Sequence, residues 1–284
     1  MYSLRPWTDR DAGADREISQ AIYPEYQEEP NHPTWFPAQQ LGAPREVSSR
    51  YAIVDLDRDH PIAYATLWEM RPRRYRFDLA VRPEWRRQGI ATQLLSRLLS
   101  DARQLGATGL QARVRDDKLE ALEFIRRQGF HESHRMGAYR IDFTDARERH
   151  KFPEAFTRLH DRGIKVTNLA AAREHSHYLE EFHQLYSAAR DGWPDPDPDP
   201  AGPTPVPLAR LSFFAIGTAV HPAYRRQGIA TLLKAASIAD AQRRGLHGQT
   251  TSTASPAMQS VLTKLGYTRR WSEIRLIREF RNGS

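Results

Sequence analysis

An arginine-rich turn that occurs twice holds the residues best suited to chemistry. Val81-Arg-Pro-Glu-Trp-Arg-Arg-Gln-Gly-Ile-Ala-Thr92 recurs as Val220-His-Pro-Ala-Tyr-Arg-Arg-Gln-Gly-Ile-Ala-Thr231, with seven consecutive identities, too many for chance. A strand that runs through such a turn into a helix gathers backbone N–H groups and the helix dipole around an anion. Gly89 and Gly228 let the backbone approach phosphates without a Cβ in the way. Arg86, Arg87, Arg225 and Arg226 add charge-assisted donors. Neither loop carries the Gly-Lys-Ser/Thr of a nucleotide-triphosphate loop or the Gly-x-Gly-x-x-Gly of a dinucleotide fold.

Other reactive side chains are few. No cysteine occurs, which excludes disulfides, thiol nucleophiles and Cys-ligated zinc. His131 with His134 and His175 with His177 lack carboxylates at ligand spacing, so they are expected to be surface histidines and no metal site is expected.

The elements around the two loops repeat as well. Tyr75 to Val81 and Leu211 to Val220 are rich in β-formers and end before proline, and each is expected to be a strand. A helix follows each loop, with Ile90, Leu94, Leu95, Leu98, Leu99, Ala102 and Leu105 on one stripe in the first copy, and Ile229, Leu232, Leu233, Ala236 and Ala239 in the second. Next come a strand (Gly109 to Val114; Gly248 to Ser252), a helix, and Gly129-Phe130 or Gly266-Tyr267. Final strands are expected at Tyr139 to Phe143 and Trp271 to Ile277. Ahead of the first loop, Leu4 to Trp7 reads as a strand, Asp11 to Tyr26 as a helix, and Arg50 to Asp55 with Pro61 to Met70 as a hairpin. The second half restarts with a strand at Ile164 to Leu169 and a helix at His175 to Arg190, then meets the Pro/Asp-rich connector 193–207. Its span before the loop is too short for a second hairpin. The expected fold class is α/β, an α+β mixed sheet in two tandem domains: a complete domain at 1–146, a linker at 147–162 and an abridged domain at 163–284.

Gln/Arg-x-x-Gly-x-Gly/Ala between a strand and a helix, with a Gly-aromatic pair closing the next helix, resembles the GNAT superfamily of N-acyltransferases, and its presence twice resembles the tandem subgroup. The resemblance covers residues 1–145 fully and 163–284 in part. It implies acetyl-CoA as co-substrate, with the pyrophosphate on Arg86, Arg87, Gln88, Gly89, Ile90, Ala91 and Thr92, and on Arg225, Arg226, Gln227, Gly228, Ile229, Ala230 and Thr231. It further implies that the strand before the loop splays from its neighbour and bonds the pantetheine arm through Leu79, Ala80 and Val81, or through Thr218, Ala219 and Val220. An amine then attacks the thioester directly. The tyrosine that many members place four residues before the Gly-aromatic is replaced by Ile125 and Leu262, so water or another hydroxyl must protonate the thiolate, or the module only binds. Asp78 and Glu69 are the candidate bases, with a solvated strand carboxylate as the other reading of Asp78. Trp35 and Phe36 fall where the family lines its acceptor pocket, and also suit ordinary core packing.

Length supports two cores: 284 residues, 39% hydrophobic and 10% aromatic, exceed one usual domain. Net charge is +7, but only five of the 42 basic residues are lysine, which reads as a compositional habit rather than a nucleic-acid face, and nucleic acid is not expected as a partner. With no signal-like or membrane-length apolar run, a cytoplasmic protein is expected. The expected activity is acyl transfer to a small-molecule or peptide amine, the alternative a non-catalytic acyl-CoA sensor or interaction scaffold. The abridged half is expected to leave a sheet edge for the first domain, or for a second copy in a homodimer, to cover.

Overall fold

The computed structural model describes residues 1–24, 47–143 and 222–280, with scattered positions between 157 and 220. Contacts divide the chain into two compact units, Met1–Ser133 with Ile274–Ser284, and His134–Glu273.

The first unit opens with β1 (Tyr2–Pro6) and helix α1 (Ala14–Ile22). Between them Thr8 and Asp11 form a capping box around a single turn, and the Asp11 carboxylate also receives both guanidinium nitrogens of Arg5 at 2.7 Å. β2 (Val47–Asp55) and β3 (His60–Arg71) make the expected hairpin, and β3 turns into β4 (Arg74–Val81) through Pro72-Arg73. Arg73 sits at φ 63, in the left-handed position that follows proline in a type II turn. After the first loop come α2 (Ile90–Gln104), β5 (Gly109–Arg115) and α3 (Leu119–Arg127).

Period-2 alternation sorts the sheet's two faces. Tyr51, Ile53, Ala63, Ala65, Leu67, Tyr75, Phe77, Leu110, Ala112 and Val114 pack with α2 and α3 in one core. α2 delivers Ile90, Leu94, Leu95, Leu98, Leu99 and Ala102 to it as expected, but Leu105 lies past the helix end and is 46% exposed.

The second unit contains β6 (His131–Asp142) from residue 134 onward, α4 (Ile229–Arg243), β7 (Gly248–Thr253), α5 (Pro256–Lys264) and the first half of β8 (Thr268–Glu279). Ser255 caps α5 by accepting from the Met258 N–H, with Pro256 at the first helical position, as its sequence requires. α4 departs from the expected stripe. It buries Ala235, Ile238 and Ala241, with Leu232 and Ala239 partly packed. The helix is alanine-rich, and its apolar residues are interleaved on every side with Lys234, Ser237, Asp240 and Gln242, so periodicity did not select a face.

The last strands are exchanged between the halves of the sequence. In the first unit the strand order is β1-β2-β3-β4-β5-β8, so the neighbour of β5 comes from the chain's end. Ile274 and Leu276 of β8 enter the first core. Arg74 pairs with Glu279, the Phe280 N–H donates to the Thr108 carbonyl at 2.9 Å, and Arg278 donates to the Gln128 carbonyl at 2.9 Å. In the second unit β6 runs antiparallel to β7, from Gly137↔Thr253 to Asp142↔Gly248. Tyr139, Ile141 and Phe143 pack there against Ile238, Leu262, Leu265 and Tyr267. The divisions 1–146 and 163–284 follow the sequence repeat, whereas each compact unit takes a strand from the other half. The strands expected at 164–169 and 211–217, the greater part of the helix at 175–190, and the connector 193–207 lie outside the described residues.

Candidate active site

In the first loop β4 ends at Val81 and Pro83–Trp85 form one turn; Arg86 is extended. Arg87 follows at φ 65, and Gly89, the N-cap of α2, at φ 79. A glycine N-cap has no side chain to satisfy the first N–H groups of the helix, so those of Ile90, Ala91 and Thr92 are left without intrahelical acceptors. A Cβ at Gly89 would meet nothing within 4 Å, so glycine is required here by its left-handed backbone rather than by crowding.

Two contacts hold the loop. Tyr2 donates its hydroxyl to the Gln88 carbonyl at 3.1 Å while its ring meets Trp85 edge-on. In a trans peptide the C=O and N–H point in opposite directions, so anchoring this carbonyl aims the Gly89 N–H away from Tyr2. Arg86 folds back, Nε on the Val81 carbonyl at 3.4 Å and a second nitrogen 3.8 Å from Glu120.

The second loop repeats this geometry with different supports. Pro222–Tyr224 form the turn, Arg226 sits at φ 63 and Gly228, the N-cap of α4, at φ 79. Arg225 returns to the Val220 carbonyl at 3.2 Å. The Gln227 carbonyl, equivalent to that of Gln88, accepts from Arg162 at 2.5 Å. Arg225, Arg226, Gln227 and Gly228 are exposed, while Ile229, Ala230 and Thr231 form the first turn of α4.

Beside the first loop two parallel strands part. β4 pairs with β5 only at Arg74↔Gly109, Tyr75↔Leu110 and Arg76↔Gln111, then runs on to Val81 against β3 alone. Leu79, Ala80 and Val81 therefore border an opening on the side of β5, between the end of β4 and the residues after Gln111.

The two candidate bases are not brought together. Asp78 lies opposite Thr66 and Glu69 opposite Tyr75, an odd spacing that sets them on opposite faces of the sheet. Asp78 accepts from the Trp68 indole at 2.8 Å, and its Oδ2 lies 3.6 Å from Arg76. Its side chain is 44% exposed. Glu69 accepts the Arg73 backbone N–H at 3.3 Å on the face of Tyr75, whose phenol is pushed up first by burial and then by the charge of Glu69. Ile125 and Leu262, at the positions of the family's tyrosine, are buried in the two cores.

Sequence reasoning missed two aromatic hydroxyls. One is Tyr2, the clamp on the loop, which no local signal marks. The other is Tyr23, at the end of α1, whose ring lies 5.1 Å from the Arg115 guanidinium and 4.8 Å from the Lys118 ammonium, where β5 ends. Lys118 also donates to the Ile22 carbonyl at 3.2 Å. Trp35 and Phe36 lie outside the described residues, and no cluster of three or more metal-ligating side chains occurs among those described.

Comparison with known proteins places this geometry. No curated protein matches the chain. A GCN5-related N-acetyltransferase from Sphaerobacter thermophilus is similar at 16% identity and a TM-score of 0.60, covering 100% of this chain and 97% of that one. A tandem GNAT protein from the clavulanic acid biosynthesis pathway is similar at 16% identity and a TM-score of 0.60, with both chains covered in full. Both likenesses concern the fold. The profile described as acetyltransferase (GNAT) family matches residues 16–130 and 182–267, each stretch containing one of the loops. With the loop, the parting strands and most of the chain matched, this protein belongs to the acetyltransferase (GNAT) family.

Proposed function

We propose that the chain moves an acetyl group from acetyl-CoA to a primary amine, and that the first unit is the competent one. The observation that carries the reading is the parting of β4 from β5 after Arg76↔Gln111, directly beside an uncapped helix N-terminus. That arrangement suits an extended pantetheine arm along Leu79, Ala80 and Val81, with its pyrophosphate against the N–H groups of Gly89 to Thr92. The amine arrives as an ammonium and must lose a proton before it attacks. Asp78, at the opening, is the carboxylate to receive it. The neutral nitrogen bonds to the thioester carbon and the C–S bond breaks. The thiolate takes up one proton, and the second proton of the original ammonium is released. No enzyme nucleophile is needed, so the protein supplies proximity and a proton route. Glu69, on the other face, is left to hold Arg73.

The buried aliphatic Leu262 favours a second reading for the other unit: its loop binds an acyl-CoA without turning it over. Free-thiol release from acetyl-CoA across a panel of amines tests the enzyme. Tight CoA binding by calorimetry with no thiol release for any amine would replace it with the binding module.

A further inference from the structure

Trp68, on the strand beside Asp78, decides which oxygen of that carboxylate is left to act. In the pairing of β3 with β4 Trp68 lies opposite Arg76 and Asp78 opposite Thr66, so indole and carboxylate share one face of the sheet on a diagonal. Such diagonal neighbours stand about 7–8 Å apart, within reach of an aromatic side chain. The indole Nε1–H spans the distance and donates to Oδ2 at 2.8 Å, the length expected of a bond to a charged acceptor.

Core packing does not account for this ring. Trp68 is half-buried, yet among the described residues it packs into neither apolar core. Its partner is partly exposed, and a solvated aspartate turns readily about its terminal bond, so either oxygen could face an incoming ammonium. Here both close groups, the indole and the Arg76 guanidinium at 3.6 Å, fall on Oδ2. The guanidinium stands beyond hydrogen-bond length, so the indole sets the orientation. An indole nitrogen donates only and carries no charge. It therefore holds the carboxylate without competing for the proton that Oδ1 is to receive, and without repelling the ammonium that brings it.

We infer that Trp68 is a positioning residue for the transfer: it pins Oδ2 of Asp78 and so presents Oδ1 to the acceptor's ammonium. This rests on the acetyl-transfer reading with Asp78 as the base. Trp68 need touch neither reactant, so its removal acts on turnover and not on binding.

A double-mutant cycle in the full chain tests this, read by thiol release from acetyl-CoA with the best amine of the panel. Trp68→Phe keeps a ring and removes the donor. The loss of a hydrogen bond to a charged group predicts a kcat lower by roughly ten- to a hundredfold, with KM for both substrates nearly unchanged. Trp68→His carries an N–H at the same place in its five-membered ring and should recover part of kcat. In the Asp78→Asn background Trp68→Phe should change kcat by no more than about twofold, because the oxygen it orients is no longer basic. A CoA-induced rise in melting temperature checks that each variant folds. Losses that multiply in the double variant would overturn the inference and leave acetyl transfer standing, as would a Trp68→Phe effect confined to KM or a Trp68→His variant as slow as Trp68→Phe. Full turnover in Asp78→Asn would overturn the inference together with the choice of base. No thiol release with any amine would overturn the acetyl-transfer reading itself.

Discussion

Gly89 shows how one residue's backbone decides a site. With φ at 79 and open space where a Cβ would go, a β-branched replacement suffers from conformation alone, roughly 1–3 kcal/mol for a strained backbone. Gly89→Val is therefore expected to abolish both the CoA-induced rise in melting temperature and the turnover. Gly228→Val, at the equivalent φ of 79, should leave most of the turnover if the first unit is competent. Thermal shift with and without CoA, alongside kinetics, checks both, and the reverse pattern would assign activity to the second unit. Tyr2 acts on the same peptide from outside. Tyr2→Phe removes one neutral hydrogen bond, about 0.5–1.5 kcal/mol, so CoA should bind roughly two- to tenfold more weakly. Calorimetry reads this directly, and an unchanged Kd would show that the Gln88 carbonyl needs no anchor.

Among elements, the link from β1 to α1 depends on ionisation. Asp11 is almost wholly buried and accepts from Arg5 and Thr8, and the Arg5 guanidinium above all holds its carboxyl down to about 2. A carboxylate depressed in the folded state contributes stability that is fully present above its unfolded value near 4 and lost as pH falls toward 2. Asp11→Asn should cost about 2 kcal/mol at neutral pH and flatten the fall in stability between about pH 4 and pH 2. Denaturant melts at pH 7, 4 and 3 would show it, and parallel curves for the two proteins would refute it. Leu276 is a test of the exchanged strand. It is fully buried in the first unit although it lies in the second sequence repeat, so Leu276→Ala should destabilise the first unit by about 2–5 kcal/mol, with CoA binding lost in parallel on denaturation.

For the whole molecule, exchanged strands make each unit depend on both halves of the sequence, and the first unit on both ends of the chain. Residues 1–146 expressed alone lack β8, leaving β5 as an unpaired edge and the first core without Ile274 and Leu276. The fragment is expected to aggregate or melt well below the full chain, and a peptide spanning 268–280 should restore folding and CoA binding. A stable, CoA-binding 1–146 fragment would show that β6 can take the vacant place.

Much was settled locally. The conformation of each loop follows from its own residues, since identical stretches adopt the same left-handed positions at Arg87, Gly89, Arg226 and Gly228 on different supports. The face of α2 followed from its apolar stripe, and alternation of Leu110, Ala112 and Val114 with Gln111, Arg113 and Arg115 already marked a polar face on β5 that the sequence reading passed over. Tertiary structure alone decided the rest. β6 and β8 both follow a Gly-aromatic pair and both suit the place beside β5, so local propensity cannot choose between them; the choice belongs to contacts made across the length of the chain, by Ile274 and Leu276 in one core and Tyr139 and Ile141 in the other. The separation of Asp78 from Glu69 was likewise set by the pairing register of β3 with β4, because a carboxylate's chemistry says nothing of the face it will occupy until its strand has a neighbour.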